Sequence, residues 1–133
     1  MAKKIYIIED DANILYSLQA KFSTEGFEVK TDNGVGHILE IVNHVKMFIP
    51  QILVLDLILP KFDGFDLLHE FKRKEETKNI PIFVFTNLSD EDSKSRGLNL
   101  GADYYFIKDE FSIDQFVAKV KKIIENKEKM VSQ

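Results

Sequence analysis

Short apolar runs alternate with longer amphipathic stretches along this chain, and that alternation restricts its fold more than any other feature. Ile5–Ile8, Phe27–Thr31, Ile52–Asp56, Ile80–Thr86 and Ala102–Ile107 read as strands that are apolar on both faces, the pattern of a buried parallel sheet. The stretches between them carry helical periodicity. Leu15, Leu18 and Phe22 share one face of a helix that Asp11 caps and Gly26 follows. Ile38, Leu39, Val42 and Val45 do the same over Val35–Val45, which Pro50 separates from the next strand. Leu67, Leu68 and Phe71 follow an Asp63 cap, and Asp63-Gly64 reads as a turn and helix start. Ser112 with Gln115 forms a capping box ahead of the stripe Ile113, Phe116, Val117, Val120, Ile123 and Ile124. The helix from Ser89 to Leu100 is the weakest, rich in Ser, Asp and Lys and broken by Gly97. It has only Leu98 and Leu100 as clear apolar anchors, with Ser89 and Asp92 as its expected capping box and Gly101 at its end. Short connections between alternating strands and helices require right-handed crossovers. The expected architecture is an α/β doubly wound sheet of five parallel strands with helices on both faces.

Composition narrows the function. At 133 residues the chain makes one domain, with a core over about residues 4–127 and a polar tail over 128–133 that is expected to fray. A folded surface of roughly 7,200 Å² follows from its mass, leaving a core that needs no disulfide or structural metal. With no cysteine, thiol catalysis, Cys-zinc sites and iron–sulfur ligation are excluded. A net charge of -4, from 18 Lys+Arg against 22 Asp+Glu, argues against direct nucleic-acid binding. The apolar run after Met1-Ala2-Lys3-Lys4 is too short for a signal peptide, and Ile52–Pro60 is too short for a bilayer span and carries Asp56 at its centre. A cytoplasmic protein without membrane contact is expected.

The chemistry lies at the carboxyl ends of the strands. Glu9, Asp10 and Asp11 follow the first strand and Asp56 ends the third. Taken alone, an acidic run caps a helix or solvates a surface. Asp56 differs, because a carboxylate inside an apolar run must be paired, metal-bound or functional. In open α/β sheets ligands bind beyond the carboxyl ends of the strands, at the point where strand order reverses. If the first and third strands are neighbours there, Glu9, Asp10 and Asp56 converge, and their repulsion is about 4 kcal/mol per pair at 4 Å and an effective dielectric near 20. A proton or a hard dication relieves it, and Mg²⁺ prefers a few carboxylates completed by waters and a phosphate oxygen. Thr86 ends the fourth strand with a hydroxyl, and Lys108 follows the fifth with an ammonium. Acids, hydroxyl and lysine on four strand ends suit phosphoryl transfer, with Asp56 as nucleophile forming an acyl phosphate.

These pieces resemble the response-regulator receiver domain of two-component signalling from about Lys4 to about Lys127. The resemblance rests on Ile7-Ile8-Glu9-Asp10-Asp11, Val54-Leu55-Asp56 with Leu59-Pro60 and Phe62-Asp63-Gly64-Phe65, Val84-Phe85-Thr86, and Gly101-Ala102-Asp103-Tyr104-Tyr105-Phe106-Ile107-Lys108. It implies a flavodoxin-like strand order 2-1-3-4-5. It also implies Asp56 as phosphoacceptor, and a Mg²⁺ site of Glu9 (largely through water), Asp10, Asp56 and the Ile58 backbone carbonyl. Thr86 is the implied signalling hydroxyl, Lys108 the phosphate-pairing lysine, and Tyr105 the aromatic that turns inward. The implied donor is a histidine kinase or a phosphotransfer protein. The implied output is a downstream protein bound by the fourth helix, fifth strand and fifth helix, where Lys94 and Arg96 are candidate contacts.

Three departures from the family pattern stand out. Asp109 replaces the usual proline after the lysine, so the preceding peptide bond is expected to be trans, the cis form costing ~2.5–4 kcal/mol without proline. Asn87 stands where a small residue is usual, and Ile58 and Leu88 flank the site with apolar side chains, which is expected to hinder hydrolytic water. The leading expectation is a stand-alone phosphoacceptor switch, not an enzyme with turnover. The alternatives are a receiver fragment of a larger regulator and a receiver-like binding module that no longer takes up phosphate. A phosphatase similar to the haloacid-dehalogenase family lacks its second Asp, because Ile58 holds that position. A flavin carrier needs a phosphate-cradling loop where this chain has acids. His37, His44 and His69 show no metal spacing and read as surface residues.

Overall fold

A computed structural model describes residues 3–131, so Met1, Ala2 and the last two tail residues, Ser132 and Gln133, lie outside the described residues. The elements alternate as β1 (Lys3–Ile8), α1 (Ala12–Thr24), β2 (Phe27–Asp32), α2 (Ile38–Phe48), β3 (Ile52–Leu55), α3 (Gly64–Arg73), β4 (Ile82–Thr86), α4 (Glu91–Asn99), β5 (Tyr104–Ile107) and α5 (Ile113–Val131). A single 3₁₀ turn, Lys108–Glu110, joins the last two. The strands form one parallel sheet in the order β2-β1-β3-β4-β5. The reversal of strand order falls between β1 and β3, as expected of the flavodoxin-like arrangement.

Alternation along each strand divides the core in two. Tyr6 and Ile8 of β1 pack with Leu53, Leu55, Val84 and the inward faces of α2 and α3. Ile5 and Ile7 pack on the other side with Val54, Phe83, Phe85 and the faces of α1 and α5, including Leu15, Leu18, Phe22, Phe116, Val117 and Val120. Phe116 stacks on Phe85 with centroids 4.0 Å apart, fixing α5 to the sheet. The folded surface is 7497 Å², close to the value expected from mass.

Local chemistry accounts for the element ends. The Asp11 side chain accepts from the Asn13 and Ile14 amides, and Ser112 and Gln115 exchange the reciprocal bonds of a capping box. The expected Ser89–Asp92 box does not form: Asp90 caps α4 instead, accepting from the Ser93 amide at 3.0 Å. The helix expected over Val35–Val45 runs from Ile38 to Phe48, because the Asp32 and Asn33 side chains hold residues 32–35 in turns by accepting from the Gly34 and Val35 amides. The fourth strand starts at Ile82, after Pro81, which has no amide to donate, and the fifth starts at Tyr104. β2, expected to be apolar on both faces, is a sheet edge with Glu28 exposed. The tail expected to fray from Lys127 is helical through Val131, and Lys3 Nζ pairs with Glu128 Oε1 at 2.6 Å. Leu98, expected as an anchor of α4, is exposed, and the one buried residue of that helix is Gly97.

Ile49 closes α2 with a left-handed backbone, φ 53°, its amide donating to the Val45 carbonyl at 3.0 Å. A β-branched residue in that region costs roughly 1–2 kcal/mol, and the side chain is 73% exposed, so little burial offsets it. Replacing Ile49 with glycine is expected to stabilise the fold by about 1 kcal/mol, after allowing for glycine's greater freedom when unfolded. The check is a rise in the urea midpoint at unchanged slope.

Candidate phosphoacceptor site

Register places the acids together. Ile8 of β1 lies opposite Leu55 of β3, so the next residues, Glu9 and Asp56, emerge side by side at the strand ends. The Asp56 amide donates to the Ile8 carbonyl and the Glu9 amide to the Asp32 carbonyl, each at 3.0 Å, which carries sheet-like bonding one residue past the strands. Glu9 is 1% exposed and Asp56 3%, whereas Asp10 faces solvent. One carboxylate oxygen of each lies within 4.8 Å of the others. Among the described residues no other group of three potential metal ligands comes so close.

Lys108 is the counter-charge. It leaves the end of β5 and reaches across β4, so that its Nζ lies 2.6 Å from Glu9 Oε1 and 2.8 Å from Asp56 Oδ2. Asp56 Oδ1 accepts from the Ile58 amide at 3.1 Å, and Glu9 Oε2 from the Asp11 amide at 3.0 Å. Burial pushes the Glu9 carboxyl up to about 7, the Asp56 charge adding to it and the bond from Lys108 opposing it. For Lys108, burial acts to lower the pKa, but the bonds to Asp56 and Glu9 outweigh it and raise the ammonium above its ordinary value. With all three acids ionised, three carboxylates against one ammonium leave a formal excess of two negative charges. A divalent cation matches that excess, and two buried carboxylates beside an exposed one suit a hard ion that keeps some of its waters. The donor set therefore fits Mg²⁺.

The remaining predicted residues cluster around this group. Thr86 ends β4 fully buried, and its Oγ1 accepts from the Leu88 amide at 3.4 Å. Tyr105 is half-buried against the α2–α3 side of the core, and its hydroxyl donates to the Leu88 carbonyl at 2.8 Å. Burial, with the charges of Asp90 and Asp56, pushes that phenol up to about 12. Ile58 sits in the loop after Asp56, bridged antiparallel to Asp63. The loop is closed by Gly64, whose amide donates to the Leu57 carbonyl at 3.1 Å. A side chain at position 64 would meet that carbonyl oxygen at 2.4 Å, so only glycine lets α3 begin here. The Lys108–Asp109 bond is trans, as expected from the missing proline. His37, His44 and His69 are exposed, and among the described residues they join no such cluster.

Sequence reasoning missed two partners. Lys108 pairs with Glu9 as well as Asp56, and Tyr105 is held by a backbone carbonyl, an atom every residue carries and no motif marks. Arg96, expected as a candidate partner contact, is exposed, and its guanidinium lies 4.1 Å from the Phe65 ring centroid and 3.8 Å from Asp63 Oδ2.

The chain belongs to the response regulator receiver domain family, which its sequence matches over residues 5–121. It is 34% identical over 124 residues to the phosphate regulon transcriptional regulatory protein PhoB of Rhizobium meliloti, covering 93% of this chain and 53% of that protein. It is 31% identical to the DNA-binding dual master transcriptional regulator RpaA of Synechocystis, covering 91% and 48%. The chain thus spans about half the length of the curated relatives it matches. Among solved structures, the BeF₃-activated DrrB receiver domain superposes with a TM-score of 0.76 at 30% identity, over 94% of this chain and 99% of that one. A CheY-like receiver domain protein from Methanospirillum hungatei shares the fold with a TM-score of 0.83, over 98% and 99%, at 24% identity. Among the described residues no helix is long and apolar enough to cross a membrane.

Because the Glu9 carboxyl in the folded chain holds its proton up to about 7, against 4.5 for the free group, the folded state binds more protons than the unfolded one between those values. Stability is therefore expected to fall as pH rises from about 4.5 to about 7. Glu9→Gln removes that slope. Urea midpoints across this window, flatter in the variant than in the parent, are the check.

Proposed function

We propose that the domain is a phosphoacceptor switch. Asp56 accepts a phosphoryl group, in the presence of Mg²⁺, from a phosphohistidine on a histidine kinase or phosphotransfer protein. The observation that carries the reading is the placement of Lys108 Nζ between Glu9 and Asp56, 2.6 and 2.8 Å away, beside the three-carboxylate cluster. An Asp56 oxygen attacks phosphorus, the phosphorus–nitrogen bond to the donor imidazole breaks, and its electron pair leaves with the imidazole nitrogen. Glu9, Asp10, Asp56 and the Ile58 carbonyl are the groups to hold the metal. Bound there, Mg²⁺ supplies charge neutralisation for the transferring oxygens. Lys108 moves from its carboxylate partners to a phosphoryl oxygen, and the Thr86 hydroxyl donates to another. No second carboxylate is placed as acid or base two residues beyond the nucleophile, where Ile58 stands, which favours a single acceptance event over phosphatase turnover.

The kinase surface, a downstream protein target and a cytoplasmic location belong to the same reading. A domain that binds partners without phosphorylation is the competing one, favoured by Asp109 and Asn87 at positions where the family pattern differs. Incubation with acetyl phosphate and Mg²⁺, followed by intact mass, separates them. The expected result is one added phosphoryl group, absent in Asp56→Asn and absent when the metal is chelated. No mass gain in the parent protein overturns the switch.

Ile58, 48% exposed, and the half-buried Leu88 place aliphatic side chains in the two loops beside Asp56. Neither side chain can hydrogen-bond an attacking water, so the acyl phosphate is expected to outlast a few seconds at room temperature. Polar substitution with Ile58→Asn is expected to shorten its life several-fold, measured as decay of the phosphorylated mass.

A further inference from the structure

The weakest-bound helix of the domain lies on the aromatic of the site. α4 buries no apolar side chain of its own, and its one buried residue is Gly97. A β-carbon at Gly97 would lie 3.0 and 3.1 Å from two ring carbons of Tyr105 and 3.9 Å from the Phe65 ring, so the bare glycine backbone fills a notch between the two rings. Tyr105 in turn reaches the Leu88 carbonyl in the β4–α4 loop, whose amide meets Thr86. Next to Gly97, Arg96 lies over the opposite contact of the notch, 4.1 Å from the Phe65 centroid, and reaches Asp63 Oδ2 at 3.8 Å. Asp63 caps α3 at the close of the loop that begins at Asp56, accepting from the Phe65 amide at 2.9 Å. The loop after Thr86 and the loop after Asp56 are thus both tied to the same turn of α4.

We propose that Gly97 is a positioning residue: by leaving the notch open it allows α4 and the inward Tyr105 ring to occupy their places together, and Arg96, through Phe65 and Asp63, holds α4 there. The signalling consequence rests on the phosphoacceptor reading above, while the notch itself does not. The two helix-holding contacts are small, a partly exposed cation–π contact and a long ion pair each being worth about 1 kcal/mol or less. Such an element shifts under modest perturbation. A side chain at position 97 displaces the ring, breaks the bond to the Leu88 carbonyl and frees α4 from the state of the acid site.

A double-mutant cycle in melting temperature tests the notch without any phosphorylation. Alanine is a better helix former than glycine. Gly97→Ala is therefore expected to raise Tm in a Tyr105→Ala background, where the ring is gone, and to leave it unchanged or lower it when Tyr105 is present. Equal rises in both backgrounds overturn the proposal. A second measurement follows hydrogen exchange of the α4 amides in Gly97→Val. With Asp56 phosphorylated to the parental extent by mass, the parent's α4 exchange is expected to change and the variant's to stay as before phosphorylation. A parental response in the variant overturns the proposal. A parent that takes up no phosphate overturns the function proposed above, and the Tm cycle then decides the notch by itself.

Discussion

Two carboxylates, Glu9 and Asp56, are buried side by side at adjacent strand ends, and the Lys108 ammonium between them makes this possible. Leaving both acids charged in a dry site without that partner is costly. The lysine touches one oxygen of each, and backbone amides of Ile58 and Asp11 bind the others. Every oxygen of the two buried acids is thus held, and Asp10 adds a further negative charge on the solvent side. The domain is in this sense an incomplete ion cluster, neutral enough to fold and negative enough to accept a cation.

The rest of the architecture serves that cluster in unequal ways. β1, β3 and β4 are buried almost throughout and fix the positions of Glu9, Asp56 and Thr86 rigidly. α5 is bound by stacked phenylalanines and by the Lys121–Glu25 and Lys3–Glu128 pairs. α4 is held by a glycine contact, a guanidinium over a ring, a long ion pair and, at its C-terminal end, the half-buried Leu100. The proposed switch would use this contrast between a firm acid site and one loosely held helix beside it.

Much of this was legible from the chain. Apolar runs against amphipathic stretches gave the order and type of all ten main elements, because burial of a strand on two faces and of a helix on one leaves different periods. The caps at Asp11, Asp63 and Ser112 were readable for the same local reason, since a side chain and an amide two or three residues away are bound to meet. Where two local solutions compete, the reading failed: Ser89 and Asp90 both offer an oxygen, and the bond from Ser93 went to Asp90. At the end of α5, composition marks a polar tail, while the pairing of Glu128 with Lys3 is contact at a distance that no local pattern shows.

What the sequence determined alone was the set of chemical groups at the strand ends, Glu9, Asp10, Asp56, Thr86 and Lys108, because each strand's length and polarity decide where its buried run stops. Which of those groups touch was decided only in three dimensions. The β1–β3 pairing, the reach of Lys108 across β4, and the seating of Gly97 between Phe65 and Tyr105 join residues far apart along the chain. Such contacts depend on strand order and on the room left by neighbouring side chains, and no local pattern encodes either.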